Sequence, residues 1–341
     1  MKLKQFLAWL LVFAICFALV ACKDPEKTEN DDPASSVVKD PTEVKDPTEP
    51  SEAPATHTAK GPLLYRVSDK QGNVIWLFGS IHVGREDYYP LPAYVLNAFD
   101  GADSLAVEAD LIAFEKDMKK QMQALSCLVY TDGTSIEDHI SQELYAKAVA
   151  TLKSYKSYTS ALDYYCPMFW SSMIESLLME KMDCDIDLGI DRHLLERAYA
   201  NEKEIQEVES AQFQYQMMAD FSDELQDILL KSSLEMCEDL DQANADLKEL
   251  MDLWASGDEQ AFAAYLASEY DDVTEDERPL YEEYHQAMIV DRNLSMANYA
   301  ENALKSGKEV FICVGAAHIV GDGAMAQMLA QQGYIVERVT S

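Results

Sequence analysis

Val74-Ile-Trp-Leu-Phe-Gly-Ser-Ile-His82 is a run of β-branched and aromatic residues that breaks at Gly79 and delivers a histidine three positions later. A buried strand presents a side chain at its mouth in this way. The pattern recurs near the other end of the chain. Glu309-Val-Phe-Ile-Cys-Val-Gly-Ala-Ala-His318 runs apolar, breaks at Gly315 and again places a histidine three residues on. Working outward from these stretches, the two ends of the chain are expected to share one sheet.

The chain has 341 residues, 48% of them hydrophobic, enough for a sizeable core in one large domain or two ordinary ones. A formal net charge of −34 argues against nucleic acid, because a phosphate backbone is held by clustered Lys and Arg and the sequence has no such cluster. Residues 1–21 read as a processing signal, in which Lys2 and Lys4 precede an uncharged apolar run. Leu19-Val20-Ala21-Cys22 resembles the lipobox of bacterial lipoproteins. It implies cleavage before Cys22 and lipid attachment to its thiol, tethering the protein at the extracytoplasmic face of the cell membrane; the alternative is a plain signal anchor. Residues 22–60 hold six of the eleven prolines, no aromatic residue and the repeat Lys-Asp-Pro-Thr-Glu at 39–43 and 45–49. That composition predicts a disordered acidic, Pro-rich linker behind the Cys22 that the lipobox resemblance implies is lipidated, with His57 inside it. Five cysteines remain beyond the signal and Cys22. None has the Cys-x-x-Cys spacing of a structural zinc site, an odd number leaves at least one unpaired, and Cys313 reads as core.

The folded domain is expected over residues 61–341. Residues 63–67 and 74–79 read as strands joined by the turn Asp69-Lys70-Gln71-Gly72. A helix over 92–99 follows, then a strand over 104–108 ending on a carboxylate. Residues 114–200 are mostly helical in pattern, 204–208 form a short strand before Glu209, and 211–305 return to helix. Leu240, Ala243, Leu247, Leu250 and Trp254 make an apolar stripe that Gly257 terminates. Strands over 310–314 and 334–339 flank a last helix over 324–332. The fold class that follows is mixed α/β (α+β): a central β-sheet built from both chain ends, with a large helical middle covering it.

Four polar residues stand where strands end: His82, Glu108, Glu209 and His318. Sheet folds bind ligands in the crevice outside the strand ends, so these residues can converge. Two histidines with two carboxylates suit a borderline divalent metal such as zinc, manganese, iron or cobalt, and equally suit general acid/base work without one. His139, His193 and His285 sit in helical contexts where surface or capping roles are expected. Asp183-Cys-Asp-Ile-Asp187 is not an EF-hand, because Leu188 and Leu194 stand where glycine and glutamate are required. Asp187 and Asp191 are expected to cap and position the following helix. Within Asp291-Arg292-Asn293, Arg292 can bind a substrate carboxylate or oxyanion, or pair with acids of the fold.

Several motifs together resemble the TraB/GumN family (TraB/PrgY/Tiki-like). They are Leu77-Phe-Gly-Ser-Ile-His82, Leu105-Ala-Val-Glu108, Gly189-Ile-Asp191, Glu207-Val-Glu-Ser-Ala-Gln212, Asp291-Arg-Asn293 and Val314-Gly-Ala-Ala-His-Ile-Val-Gly321, followed by Gly333-Tyr334. The resemblance implies an erythromycin-esterase/ChaN-like fold with both Gly-x-x-His motifs at one cleft. It also implies metal-dependent peptide hydrolysis favouring manganese or cobalt. Carried onto this chain, His82 and His318 become metal and site histidines, Glu108 and Glu209 the carboxylates, and Arg292 a cleft residue. Asp291 departs from the Glu that many members carry, and no spanning helix follows Val339, as expected of a chain anchored at Cys22. The function expected is an extracytoplasmic metallohydrolase (peptidase) acting on peptides; the alternative is a non-catalytic lipoprotein that binds or sequesters them.

Overall fold

The computed structural model describes residues 61–268 and 273–340. The signal, Cys22 and the linker with His57 lie outside the described residues. Six strands form one sheet in the order β4-β3-β5-β2-β1-β6. They are β1 Leu64–Ser68, β2 Val74–Ser80, β3 Ser104–Val107, β4 Glu204–Glu207, β5 Val310–Gly315 and β6 Ile335–Val339. The two apolar runs lie side by side: β2 and β5 are parallel, with Gly79 opposite Val314 and Ser80 opposite Gly315. β3 pairs with the other side of β5, also parallel, and carries β4. β1 folds back antiparallel on β2 and receives β6. The ends of the chain therefore do share the sheet. β5 is buried at every position and β2 at most of them, as parallel strands covered on both faces must be, so they read as continuous apolar runs instead of alternating ones.

Helix Ile190–Ala200 packs on β3 and β4, and Asp291–Ser306 on β2 and β5. Much of the helical middle packs on itself, with Pro167–Met179 lying against Asp223–Glu238. Leu240–Ser256 reaches the sheet through its last turn: Trp254 Nε1 donates to Gly79 O at 2.8 Å. Its stop at Gly257 is obligatory on two counts, since φ is +61° and an added Cβ would lie 1.7 Å from Gly61 O. The stretch over 114–200 is more broken than its periodicity suggests. Leu111–Lys116 and Met118–Leu125 are separate helices, each started by an aspartate cap, Asp110 and Asp117. Cys127, Cys166, Cys184, Cys237 and Cys313 are free thiols, and Cys313 is buried in β5 as expected. Among the described residues no helix is long and apolar enough to cross a membrane.

The helical middle buries Glu175, whose carboxylate accepts from Ser171 Oγ at 3.0 Å and Ser233 Oγ at 2.7 Å, with no cation among its described partners. Burial pushes its carboxyl up to about 7. The folded state then keeps a proton that the unfolded chain releases near 4.5. Its contribution to stability is present below about pH 4.5 and is lost as pH rises to about 7, by at most ~1.4 kcal/mol per pH unit. Glu175→Gln is expected to remove that slope. Urea unfolding of both proteins at several pH values between 4.5 and 7.5 tests this, and identical slopes would refute it.

Candidate functional site

The strand ends converge as the sequence suggested, and the loops that complete them are held by backbone packed on backbone. Beyond β2, Gly84 exchanges hydrogen bonds with Asp185, N to O at 2.9 Å and O to N at 3.0 Å. A Cβ on Gly84 would lie 1.8 Å from Leu188 O, and one on Gly189 would lie 2.5 Å from His82 O. Only glycine lets these two loops press together. Their contact sets the start of Ile190–Ala200, N-capped by Gly189, so that Asp191 in its first turn faces His82. This corrects the capping role expected of Asp191: Gly189 holds the cap position, which frees the carboxylate to turn inward.

His82 Nδ1 lies 3.1 Å from Asp191 Oδ2, at ion-pair distance but off the line of a hydrogen bond, and its Nε2 is buried without a partner. Burial lowers the His82 pKa, but the Asp191 and Glu108 carboxylates outweigh it and the net shift is upward. His318 is fully buried. Its Nδ1 is 2.7 Å from Asn293 Oδ1, and Asn293 Nδ2 donates to Gly323 O at 3.0 Å. Because the amide's donor end faces that carbonyl, its oxygen faces the ring, so His318 carries its proton on Nδ1. Its Nε2 is left as a lone pair with no partner, 4.0 Å from Glu108 Oε1. Burial, then the nearby Arg292 charge, push this histidine down to about 3. His318 is thus oriented by a hydrogen bond at Nδ1, His82 has the Asp191 carboxylate beside its Nδ1, and both rings present a bare Nε2.

Arg292 takes the ion-pairing role left open by the sequence. Its Nη2 donates to Glu108 Oε2 at 2.5 Å and to Glu209 Oε2 at 2.9 Å, while Nε reaches Glu209 Oε1 at 2.9 Å. Gln214 Nε2 donates to both carboxylates, at 3.2 Å and 3.1 Å. Glu108 Oε1 accepts from the Gly315 N–H at 2.8 Å. Burial acts to raise the Glu108 pKa, yet Arg292 and then the two histidines hold it well below the usual carboxylate range. Glu108, Arg292 and both histidines are at most 4% exposed. In formal charges, Glu108, Glu209 and Asp191 face one guanidinium, which leaves the closed cluster with two negative charges in excess while the histidines are neutral.

Residues outside the cluster behave as ordinary structure. Asp291 Oδ1 accepts from Gln286 Nε2, His139 stacks on Tyr130, and His193 lies against Tyr89. Asp185 caps Asp187 N across the acidic loop. The sequence did not single out Asn293, Gln214 or the Gly315 N–H as partners. Asn293 follows Arg292 directly in the sequence, but its burial and its turn toward His318 emerge only in the fold.

A comparison with known families matches residues 63–338 to the TraB/PrgY/gumN family. Two similar proteins are the "Uncharacterized protein YbaP" of Escherichia coli (strain K12) and that of Shigella flexneri. Each is 27% identical over 257 residues, covering 74% of this chain and 86% of its own length. No solved structure matches.

Proposed function

The chain belongs to the TraB/PrgY/gumN family, and on that premise we propose that its buried cluster is the centre of a metal-dependent hydrolase acting on peptides. We further propose that Cys22 carries a lipid and holds the protein at the extracytoplasmic face of the membrane, as Leu19-Val20-Ala21-Cys22 suggests. The observation that carries the hydrolase reading is the pair of bare Nε2 atoms, His82 and His318, beside a buried cluster whose formal charge is −2.

Those donors suit a divalent ion, manganese or cobalt by family likeness, with zinc or iron as alternatives. Metal-ligating histidines characteristically have their other ring nitrogen fixed by a carboxylate or amide oxygen; Asn293 does this for His318, and Asp191 stands 3.1 Å from Nδ1 of His82. His82 Nε2, His318 Nε2 and Glu108 Oε1 are the atoms that would hold the ion, although among the described residues no three His, Cys, Asp or Glu side chains form a ready-made ligand group. Glu209 is the poorer ligand, because the Arg292 guanidinium holds both its oxygens, whereas on Glu108 it holds only Oε2 and leaves Oε1 with the single Gly315 N–H. When bound, such an ion lowers the pKa of a water ligand and polarises a scissile carbonyl. The chain's own part is to keep Glu108 ionised through Arg292, to fix the proton of His318 on Nδ1, and to exclude water around both.

Calorimetric titration of the full-length protein with manganese, cobalt and zinc tests this. Near-stoichiometric binding is expected, weakened at least tenfold in His82→Ala and in His318→Ala. Binding indifferent to both changes would sink the metal-dependent mechanism. The closure of the cluster favours a second reading, a peptide-binding protein without catalysis. Fragments produced in molar excess over protein would exclude it.

A further inference from the structure

The chain segment that carries Glu209 and Gln214 also lines an open cavity. A space of about 220 Å³ lies at the carboxyl ends of β3 and β4, lined by Asp110, Phe114, Lys120, Glu207, Ser210 and Gln212 among others. Ligands of parallel sheets bind in this crevice. Glu209 and Gln214, which hold Arg292 and Glu108, belong to the same chain segment as Glu207, Ser210 and Gln212.

The lining favours a cation with an apolar stem. Phe114, otherwise largely buried, contributes an aromatic side chain to the lining. Asp110 is committed: Oδ1 caps Ala113 N and Oδ2 accepts from Tyr199 OH at 2.5 Å. Glu207 uses only Oε1, on the Asp110 N–H at 2.9 Å, and Oε2 has no described donor. The helices beginning here, Leu111–Lys116 and Ala211–Ala219, each have one leading N–H capped, Ala113 by Asp110 and Phe213 by Ser210, which weakens the wall as an anion seat. Lys120 offsets one of the two carboxylates and is exposed at the rim. The chain's net charge of −34 also draws cations from a distance.

We propose that this cavity is the subsite for a basic side chain of the substrate peptide, its methylenes on Phe114 and its charged head on Glu207. The assignment rests on the peptide-hydrolase reading and adds a substrate class to it.

The test is calorimetric binding, to the full-length protein, of two blocked tripeptides: acetyl-Ala-Arg-Ala-amide and the same peptide with norleucine for arginine. The arginine peptide is expected to bind at least tenfold tighter. Glu207→Gln, which keeps an acceptor for the Asp110 N–H, is expected to abolish that preference and leave norleucine binding unchanged. Equal affinities, no binding of the arginine peptide, or a preference that survives Glu207→Gln would overturn the subsite. Because binding is read without turnover, the two claims fail separately. An arginine preference without cleavage in manganese removes the hydrolase and leaves the subsite, whereas cleavage without that preference does the reverse.

Discussion

Arg292→Ala is expected to destabilise the protein by ~3–5 kcal/mol, because it leaves two buried carboxylates with no cation between them. Arg292 is 1% exposed, and the side chains of Glu108 and Glu209 are each 3% exposed. Water cannot take over the lost bonds without opening the strand ends. Arg292→Lys keeps the charge but not the planar fork that serves two carboxylates at once, so it is expected to recover only part of the loss. Adding Glu108→Gln and Glu209→Gln to Arg292→Met should recover more, since the uncompensated charges then disappear. Denaturant unfolding at neutral pH measures all of these. A deficit below about 1 kcal/mol for Arg292→Ala would mean that the triad behaves as a solvated surface pair.

Gly84→Ala is the second large effect, and it acts through space, not charge. The added methyl would meet Leu188 O at 1.8 Å, where the obstacle is backbone and cannot rotate away. Separating the loops costs about 3 kcal/mol or more, at the upper end of overpacking, and breaks the two hydrogen bonds between Gly84 and Asp185. It also draws Asp191 away from His82, whose ring then loses its orienting carboxylate. A lower midpoint in urea with weakened metal binding is the expected pair of results. Gly72→Ala makes a useful contrast, because an added Cβ there meets nothing and only its φ of +91° is strained. Equal losses in the two variants would show that loop contact is not the cause.

Much of this architecture was legible because burial on both faces wrote β2 and β5 as unbroken apolar runs, each ending in glycine. Their histidines, the carboxylate after β3 and the one after β4 followed from strand boundaries alone. The partners behind them were hidden for a different reason. Asp191, Asn293 and Gln214 lie on regular helices, where a polar residue facing inward looks, in sequence, like one facing water. Their direction is set by tertiary contacts: the Gly84–Asp185 pairing for Asp191 and the Gly323 carbonyl for Asn293. The role of Arg292 stayed open on the same ground, since an arginine's partner is a neighbour in space. The break at Asp117, within 114–200, was partly visible as an aspartate cap, which the helical periodicity of its surroundings obscured.

The position of β5 bears on the order in which a nascent chain can assemble. Although it is fifth in sequence, it lies between β3 and β2. Until Val310–Gly315 has been synthesised, the β1–β2 hairpin and the β3–β4 pair have no strand to join them, and each presents an open edge. Edges of that kind invite pairing with other chains, and the long sequence separations slow closure. His318 arrives three residues after the strand that joins the halves. A chain still being translated therefore has no assembled centre, and whatever chemistry the cluster performs is withheld until synthesis has passed His318.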